Sequence, residues 1–157
     1  FNSVGAGLSS REDSVRHLRL IILAMGACVM VSAAGQAATR TFKATLNAGS
    51  EVPPTSSAGS GTATVTLNTA TRRLSWDVTY SDLSGPAKAG HIHGPAAPGK
   101  NAPVAIPFTG NLASPIKGSK VLTAAQVSNL EAGDDYVNIH TAKNPAGEIR
   151  GQLTPSQ

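Results

Sequence analysis

Apolar residues recur at every second position in several short stretches of this chain, and that period belongs to strands rather than helices. Phe42, Ala44 and Leu46 share one face of Arg40–Leu46. Ala63, Val65 and Leu67 do so in Thr62–Leu67, as do Leu74, Trp76, Val78 and Tyr80 in Leu74–Tyr80. The alternate positions are largely Thr and Ser, the pattern of an antiparallel sheet with one solvated face. Asn68–Arg73 joins the second stretch to the third, which predicts a hairpin. Further strands are expected at Ala89–His93, Pro103–Phe108, Tyr136–Thr141 and Glu148–Leu153, the last two flanking the turn Ala142–Gly147. Thr123–Leu130 is the best helix, with Thr123 as N-cap and Gly133 beyond its end. The 16 glycines and 10 prolines interrupt every other candidate helix after the first 35 residues, and no Gly-X-Y or heptad period appears. The expected fold is all-β: a Greek-key antiparallel β-sandwich or barrel of about seven to eight short strands with one short helix.

The amino terminus reads as an address. Arg11, Arg16 and Arg19 precede an uncharged run from Leu20 to Ala34, and small residues follow through Ala38. A basic region, an apolar core and a small-residue exit make a secretory signal peptide, cut after Ala37 or Ala38. The apolar run is shorter than the about 20 residues a spanning helix needs, so no membrane span is expected in the mature form. An uncleaved anchor and a lipoprotein signal ending at Cys28 are the rival readings. Residues 1–37 are thus an N-terminal extension and signal peptide, and residues 38–157 one secreted or periplasmic domain.

Cys28 is the sole cysteine and leaves with the leader, so neither a disulfide framework nor a CxxC zinc site is expected. The formal charge of +4 falls by one when Arg11, Arg16, Arg19, Glu12 and Asp13 are removed. Apart from Arg72-Arg73 the remaining basic residues are scattered singly. Without a basic stripe interleaved with aromatics, nucleic acid is not an expected partner.

Three of the four histidines lie in the mature part: His91 and His93 in an HxH, and His140 in VNIHT. Residues i and i+2 of a strand face one way, with Cα atoms roughly 6.5–7 Å apart, so both imidazoles of the HxH can reach one metal ion. Ile92 then points to the core. In the last hairpin, pairing Ile139 with Ile149 puts Val137, Ile139, Ile149, Gly151 and Leu153 on the apolar face. The opposite face carries Tyr136, Asn138, His140, Glu148, Arg150 and Gln152, directed away from the core. His140 is expected opposite Glu148, and Asn138 opposite Arg150. A slip by one residue would expose Ile149 and Leu153, so the register is well specified. Glu148 would hold the His140 ring or bind metal itself, with Asn138 and Arg150 as further supporting residues.

A set of three imidazoles suits Cu(II) or Zn(II), with copper preferred on the first-row affinity order. Both methionines lie in the leader, so a blue-copper or Cu(I)-selective site is not expected. Affinity should fall below about pH 6.5 as ordinary imidazoles protonate. Catalytic motifs are poor: there is no GxSxG and no phosphate-cradling loop. Asp134-Asp135 reads as a turn pair rather than an acid/base dyad, Trp76 as core, and Gly94–Pro98 as a plain turn.

Three segments, EVPP, AGHIHGPAAPGKNAPV and YVNIHTAKNPAGEIRGQL, together resemble the CHRD (chordin) domain family, and the likeness covers residues 40–155. The family includes repeated domains of the animal morphogen antagonist chordin and many secreted single-domain bacterial proteins. The resemblance implies fold and compartment more firmly than molecular role. His91, His93, His140 and Gly147–Gln152 match its pattern. A weaker likeness, limited to the HxH strand pair of a Greek-key barrel, is to copper-zinc superoxide dismutase. The bridging histidine, the zinc-ligand loop and the disulfide of that enzyme are lacking. The function expected first is copper sequestration or handling without turnover, by a three-histidine surface site. A non-catalytic structural or interaction module with an envelope or extracellular protein partner comes next, and a copper redox enzyme, with Arg150 attracting anions, last.

Overall fold

The computed structural model describes residues 38–156. The expected leader and its cleavage site, up to residue 37, lie outside the described residues. Among those described, no helix is long and apolar enough to cross a membrane. The strands are β1 (Thr39–Asn47), β2 (Ser60–Asn68), β3 (Arg73–Ser81), β4 (Ala87–His93), β5 (Val104–Pro107), β6 (Ile116–Val121), β7 (Tyr136–Thr141), β8 (Ile149–Gln152) and β9 (Thr154–Ser156). One helix, α1 (Ala124–Ala132), lies between β6 and β7, and a short 3-10 turn, Ala48–Ser50, follows β1.

All pairings are antiparallel, in the order β5-β4-β7-β8-β1-β2-β3-β6, with β9 added beside β1. The hairpin expected around Asn68–Arg73 forms, with Val65 opposite Trp76 and Leu67 opposite Leu74. The sheet curls into a nearly closed barrel around one core, because its two ends supply facing side chains. Trp76 of β3 stacks on Phe108, just after β5, with ring centroids 5.0 Å apart. Gly90 of β4 lies against Phe108, Ile139 and Ile116. The alternating apolar residues of β1, β2, β3 and β7 fill this interior, and Phe42, Leu46, Val65, Leu74, Val78, Ile92, Ile139 and Ile149 are all buried.

The described residues hold nine strands, more than the seven to eight expected. Strand β6 escapes the alternation test because one of its core-side positions is Gly118. The Trp76 indole occupies the room a side chain would take: a Cβ on Gly118 would sit 2.4 Å from a ring carbon. Strand β9 is three residues long and contains Pro155, too little pattern to read. The helix follows its caps. Thr123 accepts from the Gln126 N–H, Gln126 returns the bond to the Thr123 N–H, and Gly133 closes the end with φ +79.

Strand β8 passes so close to β1 that Gly151 has no room for a side chain. A Cβ there would stand 2.3 Å from the backbone carbonyl oxygen of Thr45, which cannot rotate away. Gly151→Ala is therefore expected to destabilise the domain by about 1–3 kcal/mol through overpacking. Urea unfolding checks this; stability equal to the parent would show that the two strands can part at no cost.

Candidate metal centre

His91 and His93 project from one side of β4 while Ile92 is buried in the core, as strand alternation requires. In the β4–β7 ladder His91 stands opposite Asn138, His93 opposite Tyr136, and His140 opposite Ala89. The small Ala89 side chain leaves the His140 ring space to lean toward β4. Nδ1 of His91 and Nε2 of His140 are 3.1 Å apart. One nitrogen from each of the three imidazoles falls within 4.8 Å of the others. The expected trio of histidines is brought together.

Their hydrogen bonds fix which nitrogens are free. His93 Nδ1 donates to the Ala102 carbonyl at 2.9 Å, and His140 Nδ1 donates to the Pro145 carbonyl at 3.1 Å. A carbonyl can only accept, so each Nδ1 carries the proton and each Nε2 presents a lone pair. His93 Nε2 is buried and has no partner. The His140 lone pair meets Nδ1–H of His91, the half-buried member of the three, whose proton must leave that nitrogen if it is to ligate. Burial lowers the pKa of all three rings, His91 to about 4 with the neighbouring His140 and His93 contributing. The set is held neutral, the state a metal ligand needs.

The histidine face is not a solvent surface, contrary to expectation. Strand β7 is buried on both sides, with Tyr136 and Asn138 only 2% and 4% exposed. The outer cover comes from two loops. Residues 94–103, whose first part, Gly94–Pro98, reads as a plain turn, are fastened by Arg150, which donates to Asn101 Oδ1 (3.0 Å) and the Lys100 carbonyl (2.6 Å). Gln152 bonds the Ala96 carbonyl, and the Tyr136 hydroxyl accepts from the Ala102 N–H. Residues 48–55 close the other flank, where Asn101 Nδ2 donates to the Val52 carbonyl.

Arg150 lies 3.4 Å above the Tyr136 ring, whose other neighbour is His93, stacked at 5.0 Å and within 4° of parallel. The guanidinium is 2% exposed and committed to the loop, so it is not the open anion attractor expected of it. Asn138 pairs with Arg150 across β7–β8, as the register required.

Glu148 departs from the expected pairing with His140. The β7–β8 ladder ends at Ile139–Ile149, and beyond it the chain turns through Gly147 at φ +138. The carboxylate instead accepts from Ser57 Oγ, the Ser84 N–H and Oγ, Thr141 Oγ1 and Asn144 Nδ2. Burial alone would raise this carboxyl, yet the hydrogen bonds outweigh it and bring the pKa down to about 2. Glu148 knits loops together and does not touch the imidazoles.

Two further buried acidic residues lie in segments that read from sequence as loop and turn. Glu51 follows the 3-10 turn after β1, and its carboxylate accepts from Asn138 Nδ2 at 3.3 Å. Desolvation raises it to about 7 despite the charge of Arg150. Asp135, from the turn pair before β7, is 2% exposed with Oδ1 unpartnered, and burial and Asp134 raise it to about 6. It packs against Gly94, where a Cβ would overlap its carboxylate. Glu51 opens the EVPP segment of the family likeness and Asp135 belongs to the pair read as a turn, but neither pattern assigns the carboxylate a site role.

No curated protein and no solved structure matches the chain. The CHRD domain does match, over residues 42–153. That span runs from within β1 to just past β8 and takes in both histidine strands and the loops over them. With this fold and that match, the chain belongs to the CHRD domain family.

Proposed function

We propose that this domain binds one copper ion, as Cu(II), through His91, His93 and His140, and serves copper sequestration or handling outside the cytoplasm. The observation that carries the reading is the pair of loop-fixed tautomers that leave the Nε2 lone pairs of His93 and His140 inside one cluster, the first buried without a partner and the second met by the neighbouring His91 ring. An acceptor left unpaired in a buried place costs free energy, which a ligand that takes the lone pair relieves. Three neutral nitrogen donors favour Cu(II) over Zn(II) on the affinity order. The leader-like amino terminus supports an extracytoplasmic setting. Arg150, committed to its loop, offers no route for anionic substrates, which favours holding a metal over turning one over.

Calorimetric titration of chelator-stripped protein with Cu(II) and with Zn(II) near neutral pH tests this. One equivalent of copper, bound more tightly than zinc, is expected. No copper binding in the micromolar range or tighter would overturn the proposal.

The lowered imidazole pKa values alter the expected pH dependence. For three ordinary imidazoles with pKa about 6.5, lowering the pH to about 5.5 leaves each about one-tenth neutral and weakens metal binding about 1,000-fold. Here burial holds all three rings below the ordinary imidazole value of 6.5, and His91 stays neutral down to about pH 4. Copper affinity is expected to fall by well under that factor between pH 7.5 and 5.5. A loss near 1,000-fold would show rings that titrate like exposed ones.

A further inference from the structure

Glu51 is the carboxylate that folding lays over the histidine face, and the hydrogen bonds of the domain do not account for its place there. It is 5% exposed; Oε2 accepts from Asn138 and the Val52 N–H also acts on the carboxylate, but Oε1 is buried with no partner that meets it squarely. Arg150 acts on it through charge alone, since the guanidinium directs its N–H groups at Asn101 and Lys100. Asn138 is 4% exposed, and its Oδ1 is likewise buried and unpartnered. The two free oxygens border one small space beside Gly147. A Cβ on that glycine would stand 2.7 Å from Glu51 Oε1 and 2.7 Å from Asn138 Oδ1.

Asn138 ties this space to the imidazoles. It faces His91 across the β4–β7 ladder and Arg150 across β7–β8, and lies two positions from His140 on its own strand. Two buried acceptors without a donor are complemented by positive charge. The imidazoles are neutral and Arg150 is cationic, so a divalent ion on this face meets net repulsion unless a carboxylate shares it.

We propose that Glu51 is the charge-balancing positioning residue of the metal centre, acting across Asn138 on the ion that the three histidines hold. This rests on the copper-binding reading above. It also accounts for keeping a poorly satisfied carboxyl in a buried place: the group is set for the metal-loaded domain rather than for the metal-free one.

The test compares the parent chain with Glu51→Gln, Glu51→Asp and the pair His93→Gln with His140→Gln, by Cu(II) titration and by electron paramagnetic resonance of the copper-loaded protein. Glu51→Gln is expected to weaken copper binding about 10- to 100-fold, the range for residues that support metal ligands. It should also shift the copper spectrum while leaving the metal-free protein at least as stable as the parent. Glu51→Asp keeps the charge and should stay within about tenfold of the parent. Unchanged affinity and spectrum in Glu51→Gln, with binding lost in the histidine pair, would overturn this inference and leave the metal centre standing. A parent chain that binds no copper would overturn both.

Discussion

Glu148→Ala is expected to lower the unfolding free energy of the domain by about 3–5 kcal/mol, a large part of the about 5–15 kcal/mol typical of a folded domain. The side chain is fully buried and accepts hydrogen bonds from Ser57, Ser84, Thr141 and Asn144, which come from three loops and the end of β7. Hydrogen bonds to a charged group contribute about 1.5–3 kcal/mol each, and removing the acceptor strands several donors at once. Glu148→Gln keeps the shape but turns an N–H₂ toward groups that donate, so it should lose nearly as much.

The pH dependence separates charge from packing. The folded-state pKa of about 2 lies below the ordinary carboxyl value of 4.5, so the folded domain prefers the ionised form. The stabilisation is fully present above about pH 4.5 and is lost as the pH falls toward 2. The gap between the parent and Glu148→Gln, measured by urea unfolding, should therefore shrink over that window. A difference below about 1 kcal/mol at pH 7, or one independent of pH between 5 and 2, would sink the assignment. Because the loop that Glu148 secures includes Pro145, whose carbonyl holds His140, the same variants should loosen the metal centre.

How the site divides into readable and unreadable parts follows from the range of the contacts involved. Alternation placed Ile92, Ile139 and Ile149 in the core and put His91, His93 and His140 on the opposite faces of their strands, while the pairing of β4 with β7 that joins the three rings was not legible. The faces follow from the pleat, whose period is local. The Ile139–Ile149 register was legible because slipping it would expose two large apolar residues. Burial of the opposite face was not legible. It depends on bonds between residues about 50 to 90 positions apart, such as Lys100 with Arg150 and Glu51 with Asn138. The same range hides the partner of Glu148, since Ser57 and Ser84 outcompete His140 from distant loops. Strand β6 was hidden for another reason: its core position is filled by a tryptophan from β3.

Replacing both His93 and His140 by glutamine is expected to weaken Cu(II) binding by at least about 100-fold and to remove the one-equivalent titration step. Loss of a supporting residue alone typically weakens a metal site 10- to 100-fold, and these two supply the Nε2 lone pairs themselves. Glutamine serves better than alanine because each histidine also fastens a loop, His93 through Ala102 and His140 through Pro145. Its amide N–H₂ can donate to those carbonyls, so the loops keep a partner while the imidazole lone pair is gone. Alanine at the same positions strands both carbonyls and should lower stability as well, by about 1–3 kcal/mol for each group left buried without a partner. The two series therefore pull apart the roles the histidines combine. Affinity lost in glutamine and alanine variants alike, with stability lost mainly in alanine, assigns the rings to the metal. Parent-like copper binding in the double glutamine variant, together with destabilised alanine variants, would make them loop fasteners and move the function of the domain to another surface.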